Sequence, residues 1–103
     1  MVKRVVIWTS TAAFQRREVL KYWNFRTGST TYSEKLITII KEKIDLLLKF
    51  PLSGKETIYP EVRESALGNF SIYYKVTDKQ IIVTAFWDNR QNPDSLLEVI
   101  VKK

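Results

Sequence analysis

Residues Phe70 to Pro93, FSIYYKVTDKQIIVTAFWDNRQNP, constrain the fold more than any other part of the chain. Phe70, Ile72, Tyr74 and Val76 alternate with Ser71, Tyr73 and Lys75. A two-residue period sends the first set to a buried face and the second to an accessible one, the pattern of a half-buried β-strand. Thr77-Asp78-Lys79-Gln80 supplies a polar turn. Ile81 to Trp87 is almost wholly apolar, as expected of an interior strand covered on both faces. Asp88-Asn89-Arg90-Gln91-Asn92 then forms a polar cluster, and Pro93, which has no N–H to donate, should end regular pairing.

The rest of the chain reads as cover for this sheet. Lys3 to Trp8 is a short β-branched run and predicts a first strand. Thr9-Ser10-Thr11 offers hydroxyls to cap a helix in which Ala12, Val19 and Trp23, flanked by Ala13 and Leu20, share one face. Gly28 supplies its stop. Thr31-Tyr32-Ser33-Glu34 matches a capping box with Thr31 as N-cap. The helix it opens carries Leu36, Ile40, Ile44 and Leu47 along one stripe, with Ile37 and Leu48 beside it, and Pro51 ends it. Leu52 to Pro60 reads as a loop, Val62 to Leu67 as a strand, and Gly68-Asn69 as a two-residue hairpin turn. The expected fold is therefore α+β: a small twisted antiparallel β-sheet packed against an N-terminal helical hairpin, in the order β-α-α-β-β-β. One domain is expected to span residues 1–103. Leu96, Leu97, Val99 and Ile100 are too few to assign to a helix or a strand.

Composition narrows the chemistry. The chain has no cysteine and no histidine, which removes thiolate sites, the commonest metal ligand and the usual neutral-pH acid/base. A zinc hydrolase or a Ser-His-Asp enzyme does not fit. The apolar run at the N-terminus is too short for a signal sequence or for a membrane span of about 20 residues, so a soluble, cytoplasmic chain is expected. Seventeen Lys and Arg against eleven Asp and Glu give a net charge of +6. That balance favours an anionic partner and fits a merely basic surface equally well.

In its ordered set of short segments the chain resembles the RelE/ParE superfamily of toxins from bacterial type II toxin–antitoxin systems. The resemblance rests on Trp8 and Ala12 at the first strand–helix junction, and on Leu47-Leu48-Lys49-Phe50-Pro51-Leu52-Ser53-Gly54 after the second helix. Val62-Arg63-Glu64, Gly68-Asn69-Phe70, Tyr74-Lys75-Val76 and Arg90-Gln91-Asn92-Pro93 complete it. It implies a toxin held silent by a cognate antitoxin with an acidic, apolar tail, acting either on DNA gyrase or on ribosome-bound mRNA. No cofactor, metal or membrane partner is implied. RelE-like members cut mRNA on the ribosome, whereas ParE-like members poison gyrase without hydrolysing anything. The nuclease branch usually has an arginine immediately after the aromatic residue opening the third strand, where this chain has Ser71, and a C-terminal tyrosine or histidine, where it has Leu96 and Leu97. The resemblance thus leans towards ParE-like inhibition, with a RelE-like ribonuclease or a degenerate, inactive toxin as alternatives.

For a nuclease, the candidate catalytic residues are Arg63, Arg90, Tyr73 and Lys75, placed by the alternation on the accessible face or end of the sheet. Cleavage by 2′-hydroxyl attack needs a base, an acid and positive charge on the phosphorane; arginine or lysine supplies the charge, and tyrosine or a low-pKa lysine can move protons. Tyr73 and Lys75 suit the solvated side of a half-buried sheet better than catalysis, whereas Arg63 and Arg90, in segments that carry the resemblance, suit either. Asp88 and Arg90 are spaced for a local ion pair, and Asp88, Asp94 and Glu98 do not have diagnostic metal-ligand spacing. Trp8, Trp23 and Trp87 are expected in the core, with Trp87 also placed to stack a base beside the polar cluster.

Overall fold

The computed structural model describes residues 3–89. The expectations for Arg90 to Pro93, Asp94, Glu98 and the apolar residues from Leu96 onward fall outside that range.

The elements follow the expected order with one addition: β1 Val5–Trp8, α1 Ser10–Thr27, α2 Thr31–Lys49, β2 Lys55–Glu56, β3 Arg63–Leu67, β4 Phe70–Val76 and β5 Gln80–Asp88. The sheet order is β1-β5-β4-β3-β2. From β2 to β5 the pairing is antiparallel, but β1 joins β5 in parallel, so the sheet is mixed. The reason is the long route through the two helices between β1 and the meander, since a parallel pair needs such a crossover. β2, within the stretch read as a loop, adds two residues to the far edge of β3.

Both helices pack on one face of the sheet. Ala12, Leu36, Ile40 and Leu47 meet Phe70, Ile72, Tyr74, Ile81, Val83 and Phe86 in the main core. The α1 ends are as expected: Thr9 Oγ1 accepts from Ala12 N at 3.1 Å, and Gly28 turns left-handed at φ 67°. At α2 the cap is Thr30 rather than Thr31. Glu34 N donates to Thr30 O, and Thr30 Oγ1 donates to the Glu34 carboxylate at 2.8 Å, so Glu34 is reached from one residue earlier than the sequence pattern suggests. Ser33, in the first turn of α2, is buried and bridges the helices, donating to Leu20 O at 3.0 Å and Asn24 Oδ1 at 2.6 Å.

β4 keeps its strict alternation. β5 does not, and its core residues Ile81, Val83 and Phe86 are spaced by two and then by three. Tyr73 pairs with Ala85 and Tyr74 with Val83, which leaves Thr84 as the extra residue of a bulge. Thr84 Oγ1 donates to Tyr73 O at 3.2 Å. Beyond Val83, β5 has outrun β1, whose last pair is Trp8 with Val83. A side chain takes over there: Phe86 N donates to Gln15 Oε1 of α1 at 2.9 Å.

The second face of the sheet is also covered. Tyr73, Ala85, Trp87 and Val62 form a smaller buried cluster with Tyr59 against it. The loop from Thr57 to Val62 closes on itself through Thr57 Oγ1, which donates to Val62 O at 2.9 Å, and Glu61 takes a left-handed φ of 65°.

Candidate functional site

The alternation in β4 places Ser71, Tyr73 and Lys75 on the face away from the helices, as the sequence predicts. Accessibility is different. Ser71 and Tyr73 are buried and Lys75 is half-buried, because Tyr59 and Val62 lie over that face. The expectation of an open face at Tyr73 is therefore corrected. Ser71 Oγ donates to Glu64 Oε2 at 2.7 Å, and Asn89 Nδ2 donates to Ser71 Oγ at 3.0 Å. Glu64 stands opposite Tyr73 across the β3–β4 pair. Burial, and then the Glu64 charge and its hydrogen bond to the phenol, push the Tyr73 hydroxyl up to about 12. A phenol so disposed holds its proton at neutral pH.

Arg63 belongs to a different local structure. Its Nη1 donates to Gly54 O at 2.8 Å and Leu52 O at 3.3 Å, and Nη2 lies 3.6 Å from the exposed Glu56 carboxylate. On the core side, Tyr74 hydroxyl donates to Pro51 O at 2.8 Å and accepts from Gly54 N at 2.8 Å. Arg63 and Tyr74 thus hold the Pro51–Gly54 turn from two sides. A Cβ on Gly54 would run into the Tyr74 phenol, 2.7 Å from Cε1 and 2.9 Å from Cζ, so this glycine is required by close approach.

Of the four candidate residues, the structure brings Tyr73 together with Glu64 and Ser71, directs Arg63 to the turn, and leaves Lys75 one residue before the end of β4; Arg90 is beyond the described range. Trp87 is buried in the second-face cluster. It also lines a cleft of about 720 Å³ with Asp88 and, from α1, Phe14, Tyr22 and Trp23.

Trp8 and Trp23 are both half-buried. Trp23 meets Tyr22 edge-on and Tyr32 across the helical hairpin. Trp8 lies against the core, with the Arg16 guanidinium 4.2 Å from its ring centre. It helps to line a groove of about 450 Å³ between β1 and the helices, with Leu20, Ile37 and Ile44, and with Arg16 and Lys41 adding positive charge. Half of Ile37 is exposed there. Sequence reading placed Ile37 beside the core stripe of α2 and gave Arg16 no role; the excess of apolar positions around α2 was the available signal.

Residues 6–93 match the family model described as the ParE toxin of the type II toxin–antitoxin system parDE. The chain belongs to the ParE toxin family. ParE-family membership makes it a toxin of a type II toxin–antitoxin system, a protein with an antitoxin as its partner. Two solved structures share the ParE-like fold. One is the chromosomal ParDE toxin–antitoxin system from P. aeruginosa, with a TM-score of 0.70 at 22% identity, covering 82% of this chain and 94% of that one. The other is the E. coli DinJ-YafQ toxin–antitoxin complex, with a TM-score of 0.56 at 11% identity, covering 86% and 96%. At these identities the likeness is one of fold. No curated protein sequence matches the chain. No described helix is long and apolar enough to cross a membrane.

Proposed function

We propose that this ParE-family chain arrests growth by binding DNA gyrase in the cytoplasm, and that it does not cleave RNA itself. The observation that carries this reading is the state of the sheet face. A 2′-hydroxyl needs a base that is proton-free near neutral pH, and Tyr73 is pushed up to about 12. Ser71, at the position where the nuclease branch carries arginine, is fully buried and bonded to Glu64. Arg63 Nη1 bonds two backbone carbonyls and holds a turn in place.

The antitoxin is expected to neutralise the chain through a segment with apolar anchors and acidic side chains. The Trp8–Ile37–Ile44 groove, flanked by Arg16 and Lys41, has the complementary character. A segment that folds as it binds would bury the exposed half of Ile37 and neutralise part of the +6 charge.

Purified gyrase is the deciding reagent. The chain should cause cleaved DNA or loss of supercoiling with gyrase and leave transcripts intact in a translating extract. Codon-specific mRNA cuts that disappear with Arg63→Ala or Arg90→Ala, in variants that still fold, would overturn the proposal in favour of a ribosome-dependent endoribonuclease. Growth unaffected by expression of the chain alone would point to a degenerate toxin.

A further inference from the structure

The C-terminal end of α2 carries a second apolar surface with positive charge around it. Phe50 is 58% exposed and Leu52 65% exposed, and with Pro51 they line a concavity of about 570 Å³ together with Arg4 and Lys49. Exposed apolar side chains in a loop are ordinarily mobile, but this loop is held. Tyr74 bonds Pro51 O and Gly54 N, Arg63 bonds Leu52 O and Gly54 O, and Ser53 N donates to Phe50 O at 3.0 Å. The backbone is fixed from below while the apolar side chains face outward. A rigid, outward-facing apolar ridge has a lower ordering cost on binding than a mobile one.

The charged residues that line the concavity, Arg4 and Lys49, are both basic. Arg4 Nε donates to Thr77 O at 2.8 Å, which fixes its guanidinium beside the β4–β5 turn, and Val5 N donates to the Lys79 carbonyl at 3.0 Å. Arg4 and Lys49 both line the concavity, Lys3 precedes Arg4 in the chain and the Lys79 backbone pairs with Val5, while Asp78 in the turn and Asp45 one helical turn before Lys49 are the acids of these segments. Neither Arg4 nor Lys49 has a carboxylate partner among the described residues.

We propose that this ridge is a second docking surface for the cognate antitoxin, taking an acidic segment whose apolar side chains cover Phe50 and Leu52 while its carboxylates meet Arg4 and Lys49. The inference rests on the antitoxin partnership and on the groove reading given above, and adds a separate site to it. Both surfaces lie along the same two elements, with Trp8 and Ile37 at one end and Arg4 and Phe50 at the other. Phe50, the C-cap of α2, lies thirteen positions after Ile37, about 20 Å along the axis, a span one bound segment can follow. A second copy of this chain is the wrong occupant, since it would bring like charge to like charge. Duplex DNA would leave the apolar side chains against phosphates.

The test measures binding of the antitoxin encoded beside this gene to the toxin at several salt concentrations. The variants are Arg4→Gln with Lys49→Gln, Leu52→Ser, and, in the groove, Ile37→Glu. All four positions are exposed or half-exposed, and thermal unfolding of each variant checks that the fold is kept. The charge pair should slow association about tenfold at low salt and flatten its salt dependence, and Leu52→Ser should speed dissociation about tenfold. Wild-type binding by both ridge variants, with binding lost in Ile37→Glu, overturns this inference and leaves the groove reading standing. Wild-type antitoxin binding by the ridge variants with loss of growth arrest also overturns it, and assigns the ridge to the target. Wild-type binding by all three variants removes both sites.

Discussion

Tyr73 and Tyr74 are neighbours in sequence and opposites in environment. Tyr73 lies on the second face beside Glu64, and its hydroxyl is pushed up to about 12 by burial and by that carboxylate. A phenol that holds its proton more tightly in the folded chain than in the unfolded one, where it titrates near 10, stabilises fully below pH 10. That contribution then falls by up to about 1.4 kcal/mol per pH unit as pH rises from 10 to about 12. Ultraviolet titration should show Tyr73 ionising near pH 12, with Tyr73→Phe removing that step. Glu64→Gln should bring it down part of the way, because burial, the larger cause, remains. Tyr74 has the structural task. Tyr74→Phe leaves Gly54 N–H and Pro51 C=O without the phenol, and should cost about 1–3 kcal/mol in denaturant unfolding. Gly54→Ala should cost a similar amount, about 1–3 kcal/mol, by forcing the phenol aside.

Among the elements, β5 depends on one residue for its register. Its core side chains Ile81 and Val83 lie on one side of the Thr84 bulge and Phe86 on the other. Deleting Thr84 would turn one of these sets to the opposite face, so the deletion should abolish cooperative unfolding and the near-ultraviolet aromatic signal. Thr84→Val keeps the residue count and loses the hydrogen bond to Tyr73 O, and should cost only about 1 kcal/mol. The helical hairpin has a comparable single point. Ser33→Ala leaves Asn24 Oδ1 and Leu20 O without their buried donor, and thermal unfolding should register a loss of about 1–2 kcal/mol.

For the molecule as a whole, basic charge and exposed apolar side chains occur together. Phe50, Leu52, Ile37 and Ile7 are all more than two-fifths exposed on a chain of net charge +6. A partner combining apolar and acidic groups would satisfy both features. Antitoxin binding should therefore raise the unfolding temperature of the toxin, by the equivalent of about 2.7 kcal/mol at a hundredfold excess over Kd. The gain should shrink in high salt, which screens the charge and leaves the apolar contacts in place.

Local pattern was enough for the features that depend on near neighbours. The helix stops at Gly28 and Pro51, the hairpin at Gly68-Asn69, the helix-facing set in β4 and the family resemblance could all be read along the chain, because capping, turn geometry and two-residue alternation act over a few residues. Features that depend on distant partners could not. The Thr84 bulge is hidden in an unbroken apolar run, where every register looks equally buried. The accessibility of Tyr73 was decided by Tyr59 and Val62, which fold over the second face from an adjoining loop. Arg63 looked available for a phosphate until the turn at Leu52 and Gly54 presented its carbonyls. An amino-acid sequence states which groups a residue carries; whether those groups are free depends on which other parts of the chain fold against them.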